Sequence, residues 1–250
     1  MAEAITSEIK KYLYEGMPTK KIYREAYRLL RRFSRSSAAR YKLKRAIMEL
    51  GPSGFPFEHY FSELLKSRGY EVTTGVWVEG YCVSHEIDVV AQKEGKRIMV
   101  ECKFHNHQGY YSDVKVTLYI DARYRDILRK SQKHPDEIPT FHQCWIVTNT
   151  RFSEEGLKYA QCAGLYLLSW DYPAEDSLKK WIDVTGLYPI TCLTVLNKRE
   201  KQQLLDRGIV LAGDIPGKRT LLETLGWSPL TISRVLTEVQ QLLQSGSGQK

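Results

Sequence analysis

Apolar residues recur every two positions in some stretches of this chain and every three to four in others, and the change of period marks its elements. In KKIYREAYRLLRRF, Ile22, Ala26, Leu29, Leu30 and Phe33 recur at helical spacing and make one apolar face. A second helix is predicted from Arg40 to Leu50, ending at Gly51-Pro52. GPSGFPFEHYFSELLKSRGY reads as a turn followed by a helix that buries Phe57, Phe61, Leu64 and Leu65, with Gly69 at its C-cap. Three strands follow, over about 70–78, 82–92 and 96–104, and then a polar loop, HNHQGYYS. Residues 113–130 have strand propensity in VKVTLYI, yet Val116, Ile120, Tyr124 and Ile127 sit at helical spacing. The length decides for a helix. FHQCWIVTNT reads as a buried strand, and SEEGLKYAQCA as a helix opened by Ser153 with Glu154 and Glu155 in its first turn. GLYLLSW is a further strand, followed by a short helix near 174–183. Helix, three strands, helix, strand, helix, strand, helix predicts an α/β sandwich with a mixed sheet. From residue 187 the pattern is helical again: one helix ends at Gly208, and two more are broken at Gly226 and Pro229.

Length adds that the 250 residues suffice for one large domain with one or two small helical attachments. Composition, 42% hydrophobic and 26% charged, is that of a globular protein. A net charge of +8 suits a polyanionic partner, most simply nucleic acid, and on charge alone a basic soluble protein with no such partner is the alternative. No stretch approaches the roughly 18 to 20 apolar residues of a membrane span. The start, MAEAITSEIKKYLYEG, lacks the apolar core of a signal peptide, so a cytoplasmic protein is expected. The five cysteines (Cys82, Cys102, Cys144, Cys162, Cys192) form no C-x-x-C pair and read as reduced core residues. The tail SGSGQK reads as a disordered end or a cloning scar.

Charge also sits where a strand usually hides apolar side chains, in HEIDVVAQKEGKRIMVECKFHN. Side chains alternate faces along a strand, so Glu86 and Asp88 share one face of the first strand. Glu101, Lys103 and His105 share one face of the second. If Glu94-Gly95 form a two-residue hairpin turn, Asp88 opposes Glu101 and Glu86 opposes Lys103. Opposed carboxylates repel, and a divalent cation with oxygen ligands is their natural counter-charge. Lys103 would then orient or deprotonate a water beside that ion. On spacing alone the alternative is an exposed face whose carboxylates are merely solvated.

Asp88, with Glu101-Cys102-Lys103 following it, resembles the bipartite motif of the PD-(D/E)XK nuclease superfamily. Glu58 on the preceding helix resembles the additional acidic residue that many members carry. Ile87 stands where the family name has proline. Residues 54–186 resemble an Mrr-like restriction endonuclease catalytic domain, and ECKFHN followed by SDVKVTLYIDARYRDI resembles one branch of it. The resemblance implies a restriction-endonuclease-like α/β/α core with a mixed sheet, flanked by helical regions at 1–50 and 187–244. It implies that Asp88, Glu101 and the Cys102 carbonyl bind Mg2+, with Mn2+ as a substitute. It implies further that Lys103 activates or positions water, that Glu58 supports the metal or its waters, and that the reaction is phosphodiester hydrolysis in DNA. Residues 1–50 resemble the end of an ATP-cone, but the nucleotide-binding first half of that pattern is missing. ATP or dATP binding is therefore not carried over, and the segment reads as a helical arm that contacts DNA or forms a dimer.

Further residues join this picture as supporting or DNA-contacting candidates. Arg24, Arg28, Arg31 and Arg35 make a basic stripe on the first helix, which suits phosphate contact or is a solvated face. His105 and His107 are supporting ligands or polar loop residues, and Lys115 and Arg123 touch phosphate or form a solvated helix face. Trp145, Trp170 and Trp181 read as core. LLDRGIVLAGDI weakly resembles a helix-hairpin-helix element, where its Gly208 is alternatively a helix cap. The functional expectation is a metal-dependent DNA endonuclease of restriction, defence or repair type, with a homodimer as its candidate assembly. A structure-selective, Holliday-junction resolvase-like nuclease and a catalytically silent DNA-binding protein are the alternatives.

Overall fold

The computed structural model describes residues 6–8, 10–11, 13–33, 35–107, 109–135 and 140–246. The chain divides into two compact units, 47–187 and 1–46 with 188–250.

The unit 47–187 carries a five-stranded sheet in the order β1-β2-β3-β4-β5. The strands are β1 (Glu71–Glu79), β2 (Ser84–Lys93), β3 (Lys96–Lys103), β4 (Gln143–Thr148) and β5 (Tyr166–Leu168). β1, β2 and β3 pair antiparallel, whereas β3-β4 and β4-β5 pair parallel, so the sheet is mixed. Parallel neighbours need crossovers, which are helices here: Val114–Lys133 between β3 and β4, and Glu154–Ala163 between β4 and β5. The ambiguous segment 113–130 is thus helical. Asp113 caps it by accepting from the Lys115 and Val116 amides, and Ser153 caps the next helix through the Gly156 amide. On the other face lie Phe55–Ser67 and Leu178–Thr185, where Phe61 stacks on Trp181 at 5.7 Å and Phe57 meets Phe104 at 5.8 Å. The result is an α/β/α sandwich. Trp145, Trp170 and Trp181 are buried in it, as expected. The cysteine reading holds for Cys102, Cys144 and Cys192, but Cys82 and Cys162 are exposed, on a loop and on the outer side of a helix.

The other unit includes, in chain order with those above, α1 (Thr19–Phe33), α2 (Arg35–Tyr41), α8 (Lys198–Leu205), α9 (Arg219–Thr224) and α10 (Pro229–Gly246), while α3 (Leu43–Met48) spans the division of the chain after residue 46. The sheet unit accordingly holds α4 (Phe55–Ser67), α5 (Val114–Lys133), α6 (Glu154–Ala163) and α7 (Leu178–Thr185). The predicted helix from Arg40 to Leu50 is replaced by α2 and α3, interrupted at Lys42. Sequence-distant segments meet in this unit. Buried Glu238 accepts from the Thr194 hydroxyl at 2.6 Å and from the Thr194 and Val195 amides, and Thr191 donates to the Ala46 carbonyl at 2.6 Å. Gly208 lies past α8 at φ 70°, its amide bonded to the Leu205 carbonyl, and the buried residues 209–212 that follow lead into 3-10 turns rather than directly into a second helix. Arg24, Arg28 and Arg31 project from α1 exposed, with Arg28 2.9 Å from Glu25. The Arg35 side chain and the end of the tail lie outside the described residues. Among the described residues no helix is long and apolar enough to cross a membrane.

Candidate active site

The β2-β3 hairpin closes through Glu94 and Gly95 at φ 50° and 74°, the left-handed pair that a two-residue turn of this twist requires. Lys93 opposes Lys96, and the ladder runs from there to Val89 opposite Val100. It ends one pair short of Asp88 and Glu101. At that point the Asp88 carboxylate, not a backbone carbonyl, accepts the Cys102 N–H at 2.7 Å. The expected register is therefore correct up to Val89, while the anticipated facing of Glu86 and Lys103 lies beyond the paired ladder. The strands part where the charged residues begin, and β3 continues along β4 through Lys103.

The parting admits charge from both helical layers. Glu101 is 1% exposed, and one of its oxygens lies 2.6 Å from the Arg123 guanidinium of α5 and 3.5 Å from the Lys103 ammonium. Its other oxygen, Oε1, is buried without a hydrogen-bond partner. Arg123 also donates to the Glu86 carbonyl. From the opposite layer Glu58 enters on the first turn of α4. Burial lifts the Glu58 carboxyl to about 7, and the charges of Asp88, Glu101 and Glu86 push the same way. Burial also raises Asp88 above the usual carboxylate range, against the pull of the Cys102 amide and of Lys103 and Arg123. Glu101 is raised by burial and then by Asp88, with Arg123 and Lys103 opposing.

Such a site is short of positive charge and rich in hard oxygen donors. The orphaned Glu101 Oε1 and the mutual repulsion of the carboxylates fit a divalent cation of the Mg2+ type. Among the described residues no three carboxylate, imidazole or thiolate side chains enclose an ion by themselves.

Residues 51–171 match the restriction endonuclease family model of the Mrr catalytic type. An uncharacterized protein of Archaeoglobus fulgidus is 39% identical over 184 residues, covering 73% of this chain and 99% of that protein. The chain belongs to one family with this archaeal protein, and its residues 51–171 form an Mrr-like restriction endonuclease domain. A crystal structure titled as a protein of unknown function, AF1548, matches with a TM-score of 0.63 at 36% identity, covering 77% of this chain and all of that one. Residues 188–243 match a second family model, the AF1548-like C-terminal region. Residues 188–243, within the region read as helical over 187–244, thus carry a recognisable module of their own, while the ATP-cone-like end expected over 1–50 is not shown.

Within the Mrr-like domain, Glu58, Asp88, Glu101, Cys102 and Lys103 come together. Arg123 joins them, but as the ion-pair partner of Glu101. At 12% side-chain exposure it is neither a solvated helix face nor a free phosphate contact. Lys115 is exposed on the first turn of α5. His105 is half-buried, its Nε2 3.1 Å from the Ser112 hydroxyl, and burial lowers its pKa. Asn149 clamps the His105 backbone from β4's end, accepting its N–H at 2.8 Å and donating to its carbonyl at 2.7 Å. His107 is exposed against Tyr110. Arg24, Arg28, Arg31 and Arg35 belong to the other unit. Asn149 and the Arg123 pairing escaped the sequence reading, because both act across more than 20 residues and neither has a spacing signature.

Proposed function

We propose that the domain over 47–187 is a metal-dependent endodeoxyribonuclease. The observation that carries this reading is the convergence of Glu58, Asp88 and Glu101 with Lys103 at the point where β2 leaves β3, each carboxyl raised by burial and by its neighbours. Carboxylates crowded in this way destabilise a resting protein, and they make sense as ligands. Asp88, Glu101 and the Cys102 carbonyl would hold Mg2+ or Mn2+, which when bound supplies a counter-charge for the phosphate and a more acidic water.

The chain's own groups do the rest. Lys103, 31% exposed and restrained by Glu101, orients the attacking water and offsets the negative charge that builds on the phosphate oxygens. Glu58, poised at about 7, is available near neutral pH as an acceptor for the water's proton. Arg123 favours the ionised form of Glu101 against burial and aims its carboxylate. The Asp88–Cys102 hydrogen bond keeps the two strands from closing over the site. The net charge of +8 and the exposed arginines of α1 suit DNA as the polyanion. A homodimer would place one such site against each strand of a duplex.

Supercoiled plasmid incubated with Mg2+, Mn2+ or EDTA, beside Asp88→Ala and Lys103→Ala, tests the proposal. Metal-dependent nicking or linearisation that is lost in both variants is expected. Cleavage that persists in Asp88→Ala, or no cleavage of plasmid, single-stranded or branched DNA with either metal, would overturn it.

A further inference from the structure

Four large aromatic side chains are exposed next to the carboxylate site: Trp77 (68%), Tyr110 (59%), Tyr111 (49%) and Tyr119 (61%). Three of them are tied to it by geometry, and Tyr111 adjoins Ser112, whose hydroxyl lies 3.1 Å from His105 Nε2. Tyr119 precedes Arg123 by one turn of α5, its ring 5.6 Å from the guanidinium that holds Glu101. Trp77 lies directly across the β1-β2 ladder from Glu86, on the face of β2 that Asp88 shares. Tyr110 stacks parallel to His105 at 6.2 Å, two residues past Lys103. Tyr111 sits 5.8 Å from the Arg151 guanidinium, and the adjacent Ser112 amide is bonded to the Arg151 carbonyl. Single exposed aromatics need no explanation, but four around one charged site do.

We propose that these rings stack on unpaired bases, so that the site takes DNA with unpaired nucleotides beside the scissile phosphate in preference to continuous duplex. This rests on the nuclease reading above. Binding the outside of a duplex calls for cations and N–H donors at phosphates, since the base faces are hidden in the stack. Aromatic faces flanked by cations are what a single strand rewards. Lys115, Tyr119 and Arg123 follow one another at four-residue intervals along α5, an exposed cation, an exposed ring and then the arginine paired with Glu101. A strand lying along that line meets a phosphate contact and a stacking platform before it reaches the carboxylates.

Fluorescence anisotropy with one labelled sequence, presented as single-stranded DNA, duplex, splayed fork and single-stranded RNA in Ca2+ buffer, tests this with the full chain. Single strand and fork should bind at least about tenfold tighter than duplex. Tyr119→Ala and Tyr110→Ala should each weaken single-strand binding roughly 5- to 100-fold and bring the ratio toward one, and Tyr119→Trp should keep it. Equal or tighter binding of duplex overturns the proposal. So does a ratio untouched by either alanine, which would leave the rings to a protein partner, or a preference for the RNA. Plasmid cleavage that is lost in Asp88→Ala, combined with a ratio near one, sinks this inference alone. If no DNA is bound or cut, the nuclease reading falls with it.

Discussion

Arg123→Ala isolates what keeps a charge at Glu101 inside the protein. Glu101 is 1% exposed, with Arg123 at 2.6 Å, Lys103 at 3.5 Å and its Oε1 without a partner. Removing one side of a buried pair strands the other charge and costs about 3–5 kcal/mol. Lys103 is partly solvated and offsets only a fraction of that. In a unit of this size the loss corresponds to roughly 6–20 °C in Tm. The pH dependence has a definite sign. Glu101 titrates above its usual 4.5, so the folded state holds its proton more firmly than the unfolded chain does. The stability that this contributes is present below 4.5 and is lost as pH rises through the folded value. Without Arg123 that folded value moves further up, so the deficit should be small in acid and full at neutral pH. Unfolding followed by circular dichroism in EDTA, at about pH 4.5 and about pH 7.5, reads it directly. Glu101→Gln in the Arg123→Ala background should recover most of the loss, because a neutral amide needs no counter-charge. A neutral-pH deficit under about 1 kcal/mol, or a double variant no more stable than Arg123→Ala, would refute the reasoning.

Three further outcomes are expected. Asp88→Asn should lower the Glu58 titration from about 7, since Asp88 is the largest charge acting on it after burial. A carboxyl-resolved NMR titration checks this, and an unmoved midpoint would show that the two do not interact. In EDTA, Glu58 contributes stability that is full below 4.5 and lost by about 7, so Glu58→Gln should flatten the decline of Tm across that window. An unchanged slope would contradict the shift. Gly80→Ala places a methyl carbon 2.5 Å from the Val83 carbonyl in the β1-β2 turn and should cost about 1–3 kcal/mol. Gly217→Ala meets nothing within 4 Å and should stay within about 0.5 kcal/mol, so equal thermal shifts for the two would refute the packing argument.

Periodicity carried most of the α/β core, because each element there states its own period. Strand β3 alternates around Glu101 and Lys103, and α5 repeats Ile120, Tyr124 and Ile127. The left-handed turn at Glu94-Gly95 was legible too, because a Gly after an acidic residue between two β-branched runs has few other uses. The family motif rested on the same local facts. The part that depends on distance was not legible. Periodicity does not say that β2 leaves β3 at Asp88, since that follows from a side chain taking the Cys102 amide in place of the ladder. Nor does it say that Arg123 turns inward to Glu101 or that Asn149 clamps His105. It likewise leaves unsaid that Glu238 near the C-terminal end is satisfied by Thr194 and Val195, and that residues 1–46 join 188–250 in one unit. A helix or strand is selected by neighbours a few residues apart, whereas a buried charge is selected by whichever group the folded chain brings within reach. The sequence by itself therefore determined the elements and the chemical types at the site. Only the tertiary structure decided which charges face each other, because partner choice in a buried site is set by desolvation and geometry that no local spacing encodes.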